Sequence, residues 1–483
     1  MVLNTPIGSL MPYKRFKLFL DQQAHGHFNR LNFKTMFKNK KNKEKVKRFS
    51  QLSVINPTAA GIDVSDTEMV VAFPINSEQI EVRAFGSFTR DLKLLANTLQ
   101  DYGITTIAME STGVYWVTLF LLLQEYGFEV YLVNAKHVKN VTGRKDDESD
   151  AEWIQKLHSC GLLSASFQPD NMTRALRSMV RHRKGLVSIS ATYLNRIQKA
   201  LELMNIKLHT VISDIDGRTG RNIIEAILSG EKDPEVLAEL RDIRIKASRE
   251  EIIKSLEGHW LPEHLFELKQ CYQLYCIHRE MIDLCDKEIE QQLIQIIASK
   301  NEGIIAEIPD VKRKRSPKHP ISYNLTGYLK KLVGVDLTSI IGISELSALS
   351  IIAEIGTDMS RWKSKNHFAS WLGLAPNTKI SGGKEISSRI LKKKQYAAQS
   401  FRMAVISLNK NKSPLGDFYK RIRAKAGPGK AVVATARKLA IIFYEMIIKK
   451  ELFNPNALEE YQKKHNQMKI NQLKKKIAQL ELA

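Results

Sequence analysis

Asp63 interrupts the apolar run Gly61-Ile62-Asp63-Val64-Ser65, and Glu110 closes a second one, Ala108-Met109-Glu110-Ser111-Thr112-Gly113. An ionised side chain so placed needs a compensating partner. Asp147 and Asp150 follow, three residues apart, on one face of a helix read over Asp147–His158. Clustered carboxylates repel unless a cation neutralises them, and hard oxygen donors with open positions suit Mg²⁺. Metal held in this way activates an attacking oxygen and stabilises a leaving one in phosphoryl transfer. Singly, each acid has a plainer role as a cap or surface charge, and Asp147 or Asp150 is well placed for an N-cap. Asp146 and Glu148 point elsewhere on the helix. Arg144 and Lys145, just before, suit a phosphate or simply offset the acids.

A different chemistry is available at Ser381, in Pro376-Asn377-Thr378-Lys379-Ile380-Ser381-Gly382-Gly383-Lys384. A serine hydroxyl is a weak nucleophile until a base or nearby charge assists it. Paired glycines let the backbone approach a phosphate closely, and Lys379 and Lys384 bring positive charge beside the hydroxyl. By itself the segment also fits an ordinary turn-rich loop. Ser381 lies more than 200 residues beyond the acids, so the two chemistries meet through folding back of one chain or through pairing of subunits.

The elements that must position the acids can be read in order. Strands are expected at Ala59–Val64, Glu68–Phe73 and Ile80–Phe85, a helix at Asp91–Leu99 and a strand at Thr105–Glu110. A helix at Val114–Tyr126, a strand at Phe128–Val133 and the Asp147–His158 helix complete the set. Three consecutive strands followed by alternating helix and strand is the order of an α/β RNase H-like fold, although other α/β folds share five strands. In that fold the first and fourth strands are neighbours, which sets Asp63 beside Glu110. The boundaries place a basic flexible arm at residues 1–57 and the α/β domain at 58–165. A helical, coiled-coil-like middle region with a basic linker spans 166–330. A mainly α C-terminal domain carrying Ser381 spans 331–450, and a final helix spans 451–483.

The charge points to the partner. With 74 Lys and Arg against 51 Asp and Glu, the formal charge is +23, which favours a polyanion, nucleic acid foremost. The run Lys38–Arg48 has no apolar period and reads as a solvated arm or a phosphate-contacting one. Arg174, Arg177, Arg181, Arg183 and Lys184 give one helix face a single sign, read here as nucleic-acid contact. The turn Ile340-Ile341-Gly342-Ile343-Ser344 suits a DNA phosphate in a helix-hairpin-helix manner, or is a plain helical corner. No uncharged apolar run reaches the roughly 18 residues of a membrane span, so a cytoplasmic, nucleoid-associated protein is expected, with no membrane partner. Cys271, Cys276 and Cys285 lie near His278 but on one amphipathic helix, where buried thiols are commoner than zinc ligands. Ile470, Leu473, Ile477 and Leu480 give the last helix a short coiled-coil spacing.

Several strings resemble the DEDD transposases of the IS-one-ten group. They are Gly61-Ile62-Asp63-Val64-Ser65, Met109-Glu110-Ser111-Thr112-Gly113-Val114-Tyr115-Trp116, Gly143-Arg144-Lys145 with Asp147, and Asp150-Ala151-Glu152-Trp153. Ser370-Trp371-Leu372-Gly373-Leu374-Ala375-Pro376 with Ser381-Gly382-Gly383-Lys384 continues the match, in order, over about residues 58–450. The resemblance implies a RuvC-like domain whose acids, here Asp63, Glu110, Asp147 and Asp150, bind Mg²⁺, and a transposase domain whose serine, here Ser381, attacks DNA covalently. It also implies a non-coding bridge RNA that pairs with donor and target DNA. The chain departs from many relatives at Lys394-Gln395, where they carry Gly-Asn. A homo-oligomer, dimer or tetramer, is expected because recombination holds several strands at once. Two other readings compete: a RuvC-like structure-specific nuclease using water, and a nucleic-acid-binding scaffold that cuts nothing. The full acid set speaks against the scaffold, and the Ser381 segment against simple hydrolysis.

Overall fold

A computed structural model of the chain describes residues 53–134, 138, 149–300, 308, 321–391, 395–454 and five positions between 467 and 477. Two compact units divide it, residues 1–167 and 168–483. The basic arm, the linker at 312–320, Lys394 and most of the last helix lie outside the described residues.

The first unit is built on a five-stranded mixed sheet of order β3-β2-β1-β4-β5. Its strands are β1 (Ala59–Val64), β2 (Glu68–Pro74), β3 (Ile80–Gly86), β4 (Thr106–Glu110) and β5 (Glu129–Val133). β1 runs antiparallel to β2 and parallel to β4, and β4 parallel to β5. This is consistent with the expected RNase H-like fold. β1 and β4 are central and buried on both faces, so both read as near-continuous apolar runs. β3, at the edge, alternates exposed and partly buried residues.

Helices cover both faces. On one side α1 (Thr89–Asp101) and α2 (Trp116–Glu125) bring Leu95, Leu99, Leu119 and Leu123 against Ile62, Val64, Ile107 and Met109. On the other, α3 (Asp150–Ser159) sets Trp153, Ile154 and Leu157 against Ala108 and Val133. The α3 face demands a glycine. A Cβ on Gly61 would lie 2.2 Å from the backbone nitrogen of Gln155 and 2.5 Å from the Ala151 carbonyl oxygen. At the same interface Gln155 Nε2 donates to the Ala59 carbonyl at 3.2 Å. Buried His158 shares a 2.9 Å hydrogen bond with Thr106 Oγ1.

The second unit holds the middle helices and the C-terminal helices together. Two long helices, α4 (Asn171–Leu203) and α9 (Pro262–Lys300), run antiparallel. Gln292 Nε2 donates to the Met172 carbonyl at one end, and the Tyr193 and His278 rings meet toward the other. Short helices α5 (Leu208–Val211), α6 (Arg218–Leu228), α7 (Pro234–Glu239) and α8 (Arg249–Leu256) close the far end over Leu201, Met204, Ile223, Ile224 and Leu256. Burial raises the thiols of Cys271, Cys276 and Cys285 above their ordinary pKa.

Beyond them come α10 (Leu325–Val333), α11 (Glu345–Ile355), α12 (Lys365–Trp371), α13 (Tyr396–Leu408), α14 (Pro414–Ala426) and α15 (Pro428–Lys449). Phe368, Phe401 and Phe443 are fully buried among them. Between α12 and α13 a two-stranded ribbon, β6 (Lys379–Ser381) and β7 (Lys384–Ser387), interrupts the helices.

Candidate active site

Asp63 and Glu110 are each the one partly buried residue in a strand whose other residues are buried. Their positions follow from register. The parallel pair Ile62↔Met109 puts the next two residues, Asp63 and Glu110, side by side at the C-terminal end of both strands. Alternation along the strands fixes the face. Ile62, Val64, Ile107 and Met109 point into the core under α1 and α2. Gly61 and Ala108 point to α3, and so do Asp63 and Glu110, two residues further on. Glu110 also accepts from Thr112 Oγ1 at 3.4 Å.

α3 crosses this face in the opposite direction. Gln155 lies against Ala59, and Ala151 against Gly61, so the helix presents its first turn to Asp63. That turn begins at Asp150. Ser149 is its N-cap: the Ser149 hydroxyl accepts from the Glu152 backbone and the Glu152 carboxylate from the Ser149 backbone. The helix is therefore three residues shorter at its start than expected, and Asp150 is a first-turn residue instead of the cap. The Ser-x-x-Glu spacing of Ser149 and Glu152 is the sequence signal for that start. Asp147, Arg144 and Lys145 lie outside the described residues.

Chemically, Asp63, Glu110 and Asp150 are hard oxygen donors brought to one end of the sheet, beside the positive end of a helix dipole. Among the described residues no group of three or more is close enough to hold a metal ion. The donor type fits a divalent cation, and the expected set includes Asp147. His158, at the far end of α3, takes no part; burial holds its imidazole below the ordinary pKa.

Ser381 is placed by the ribbon. Gly382 and Gly383 have φ of +56° and +73°, the left-handed pair that a two-residue hairpin turn requires. The segment expected to be a loop is thus a hairpin, with Ser381 and Lys384 as the cross-strand pair next to its turn. Directly paired residues project to the same face, so the Lys384 side chain shares the face of the Ser381 side chain. Lys379 pairs with Ser387. The ribbon from Lys379 to Glu385 is exposed throughout.

The basic face of α4 is used differently from expectation. Arg183 is buried and bonds both oxygens of Asp286 on α9. Arg177 donates to the carbonyls of Ala353 and Glu354, and burial pushes it down to about 10. Arg181 forks onto the Glu354 carboxylate at 2.7 and 2.9 Å, and Lys184 donates to Gln399 Oε1 at 3.1 Å. Arg174 is partly buried beside Asp170. Arg177, Arg181 and Arg183 thus dock α4 onto α9 and α11, while Arg181 and Lys184 keep exposed side chains. At the Gly342 turn, Ser344 caps α11 by accepting from the Ser347 backbone. A Cβ on Gly342 would meet the Ala404 carbonyl at 2.8 Å, so that turn is a packed corner.

The first unit is thus a mixed-sheet domain with acids at the ends of its central strands, and the helical unit that follows it in the chain bears an exposed serine ribbon. Residues 60–206 match the DEDD transposase family of IS110, described as a transposase, and residues 336–420 match the transposase IS116/IS110/IS902 family. No curated protein matches the chain. These two stretches are thus similar to IS110-type transposase domains; transposases of that kind cleave and transfer DNA, and DEDD domains typically use a divalent metal. Among the described residues no helix is long and apolar enough to cross a membrane.

Proposed function

We propose that the protein is the recombinase of an insertion sequence, that it breaks and rejoins DNA through a covalent Ser381–DNA intermediate, and that Asp63, Glu110, Asp147 and Asp150 hold Mg²⁺. The observation that carries the serine step is the pairing of Ser381 with Lys384 on one face of an exposed ribbon. An Oγ–phosphorus bond forms as the phosphorus–oxygen bond of the cut strand breaks, and the serine proton leaves as the displaced oxygen gains one. Lys384 offsets the charge that grows on the phosphate. The phosphodiester is exchanged for another phosphate ester, so reversal rejoins strands without an external energy source. The metal, when bound, supplies Lewis-acid stabilisation of charge on the reacting phosphate. β1 and β4 set Asp63 and Glu110 side by side at the strand ends, where their carboxylate oxygens would be ligands to that metal.

A non-coding bridge RNA and a dimer or tetramer complete the proposal. The resemblance supports the RNA, and sequencing the RNA that copurifies with the protein tests it. Denaturing a cleavage reaction tests the serine step. DNA should remain attached to the wild-type protein, and Ser381→Ala should bind DNA yet give no protein-linked DNA. Cleavage by Ser381→Ala with free DNA ends would instead establish hydrolysis by water.

A further inference from the structure

The strands of the serine ribbon contain two apolar residues, Ile380 and Ile386, and both are about two-thirds exposed, at 67% and 69%. Single exposed hydrophobes are ordinary, but two on a seven-residue ribbon are a feature to be explained. The register explains their grouping. Ile380 pairs with Glu385 while Lys379 pairs with Ser387, so Ile386 is the extra residue of a bulge opposite Lys379 and Ile380. A bulge breaks the strict alternation of faces, so Ile386 lies exposed at the irregularity next to the Ile380–Glu385 pair. Ile380 precedes Ser381 in the strand and therefore projects from the opposite face. One face of the ribbon thus carries Ser381 and Lys384, and the other Ile380 with Glu385 opposite it, with Ile386 exposed at the bulge beside that pair.

The surroundings name the occupant. Among the described residues 376–391 there are three basic side chains, Lys379, Lys384 and Arg389, against one acid, Glu385. A protein surface would have to bury those cations, whereas a DNA groove offers phosphates to them and bases to the isoleucines. We propose that Ile380 and Ile386 form an apolar wedge that enters the DNA and unstacks the base step beside the phosphate attacked by Ser381. Side chains of this kind, inserted between base steps, kink and open a duplex. A ribbon entering a groove tip-first turns one face to each wall, so one insertion delivers Ser381 to a backbone and the isoleucines to bases. The wedge positions the scissile phosphate and takes no part in bond making. It rests on the reading of Ser381 as the nucleophile.

The test uses the full-length protein with its copurified RNA and a duplex carrying the mapped cleavage site, with 2-aminopurine at the adjoining step. Ser381→Ala protein, which cannot cut by the proposed route, should raise the probe's fluorescence on binding. Adding Ile380→Ser and Ile386→Ser should abolish that rise while leaving affinity within about threefold, because phosphate contacts dominate binding. In the Ser381 background the same pair should lower the rate of protein-linked DNA by about tenfold or more, and Leu at both positions should restore it. An undiminished fluorescence rise in the Ile→Ser pair overturns the wedge. So does a change of subunit number in that variant, which would assign the isoleucines to a protein contact. If Ser381→Ala still forms protein-linked DNA while the fluorescence rise depends on the isoleucines, the nucleophile assignment fails and the wedge stands.

Discussion

Asp63 and Glu110 stand partly buried toward the ends of strands that are buried along the rest of their length. Their proposed part is to hold the metal. Replacing Asp63 with Asn, which keeps the shape and removes the charge, is expected to lower strand cleavage by about a thousandfold or more, with DNA affinity little changed. Measurement of both on one preparation checks this, and full cleavage by Asp63→Asn would sink the acid assignment. Lys384 is exposed, and solvent screens an exposed ammonium. Lys384→Met is therefore expected to slow formation of protein-linked DNA by only about tenfold, with partial rescue by Arg. His158 acts on stability alone. Its folded-state pKa is depressed by burial, so the unfolded chain binds a proton at a higher pH than the folded one. The stability it contributes is present above the ordinary imidazole value of about 6.5 and is lost as pH falls below it. The melting temperature of the wild-type protein should drop between pH 7 and pH 5.5, and His158→Gln should flatten that dependence.

Among the elements, α3 is the one on which the acid site depends, and Gly61 is what lets it lie on β1. Gly61→Val would force the two apart at the Gln155 and Ala151 backbone, a cost of roughly 2–3 kcal/mol. Because the same helix carries Asp150, cleavage should fall more than stability; equal loss of both would show that the helix position does not matter. In the second unit Arg183 and Asp286 are both buried. Removing one partner leaves the other charge uncompensated, so Arg183→Met is expected to destabilise by about 3–5 kcal/mol, and a paired Asp286→Leu should recover much of it. Thermal unfolding of the single and double variants measures this. The mixed sheet was legible because apolar runs, turn residues and amphipathic spacing all agreed, and the strand ends fell within one or two residues. Two other elements show the limit of that legibility. The Gly382-Gly383 pair is a strong hairpin signal, but with only three and four residues on either side the strands left too little alternation to read. The arginines of α4 showed their charge but not their carboxylate partners, since Glu354 and Asp286 lie more than 100 residues away in sequence. One-dimensional charge patterning carries no information about such pairs.

For the whole molecule the relevant quantity is the excess of 23 positive charges, and their location decides which part of DNA binding is non-specific. Docking of α4 consumes several of the cations that would otherwise serve as a binding face. The first 50 residues hold twelve Lys and Arg against two acids, so a large part of the excess sits in the arm. Ile55 and Asn56, just beyond it, donate backbone hydrogen bonds to the Ser159 carbonyl at the end of α3. Deleting residues 2–50 would therefore spare the contact that ties the chain to α3. If the arm neutralises phosphates, each lost contact lowers the slope of log affinity against log salt by about 0.9. Deletion is expected to flatten that slope by several units and to weaken binding most at low salt. The cleavage rate at saturating DNA should hold, because the arm contains none of Asp63, Glu110, Asp147, Asp150 or Ser381. Titrations of the full-length and deleted proteins from about 50 to 300 mM salt separate the cases. An unchanged slope would assign the arm to solvent and place the phosphate contacts on the folded units, where the ribbon with Lys379, Lys384 and Arg389 is the first surface to neutralise next.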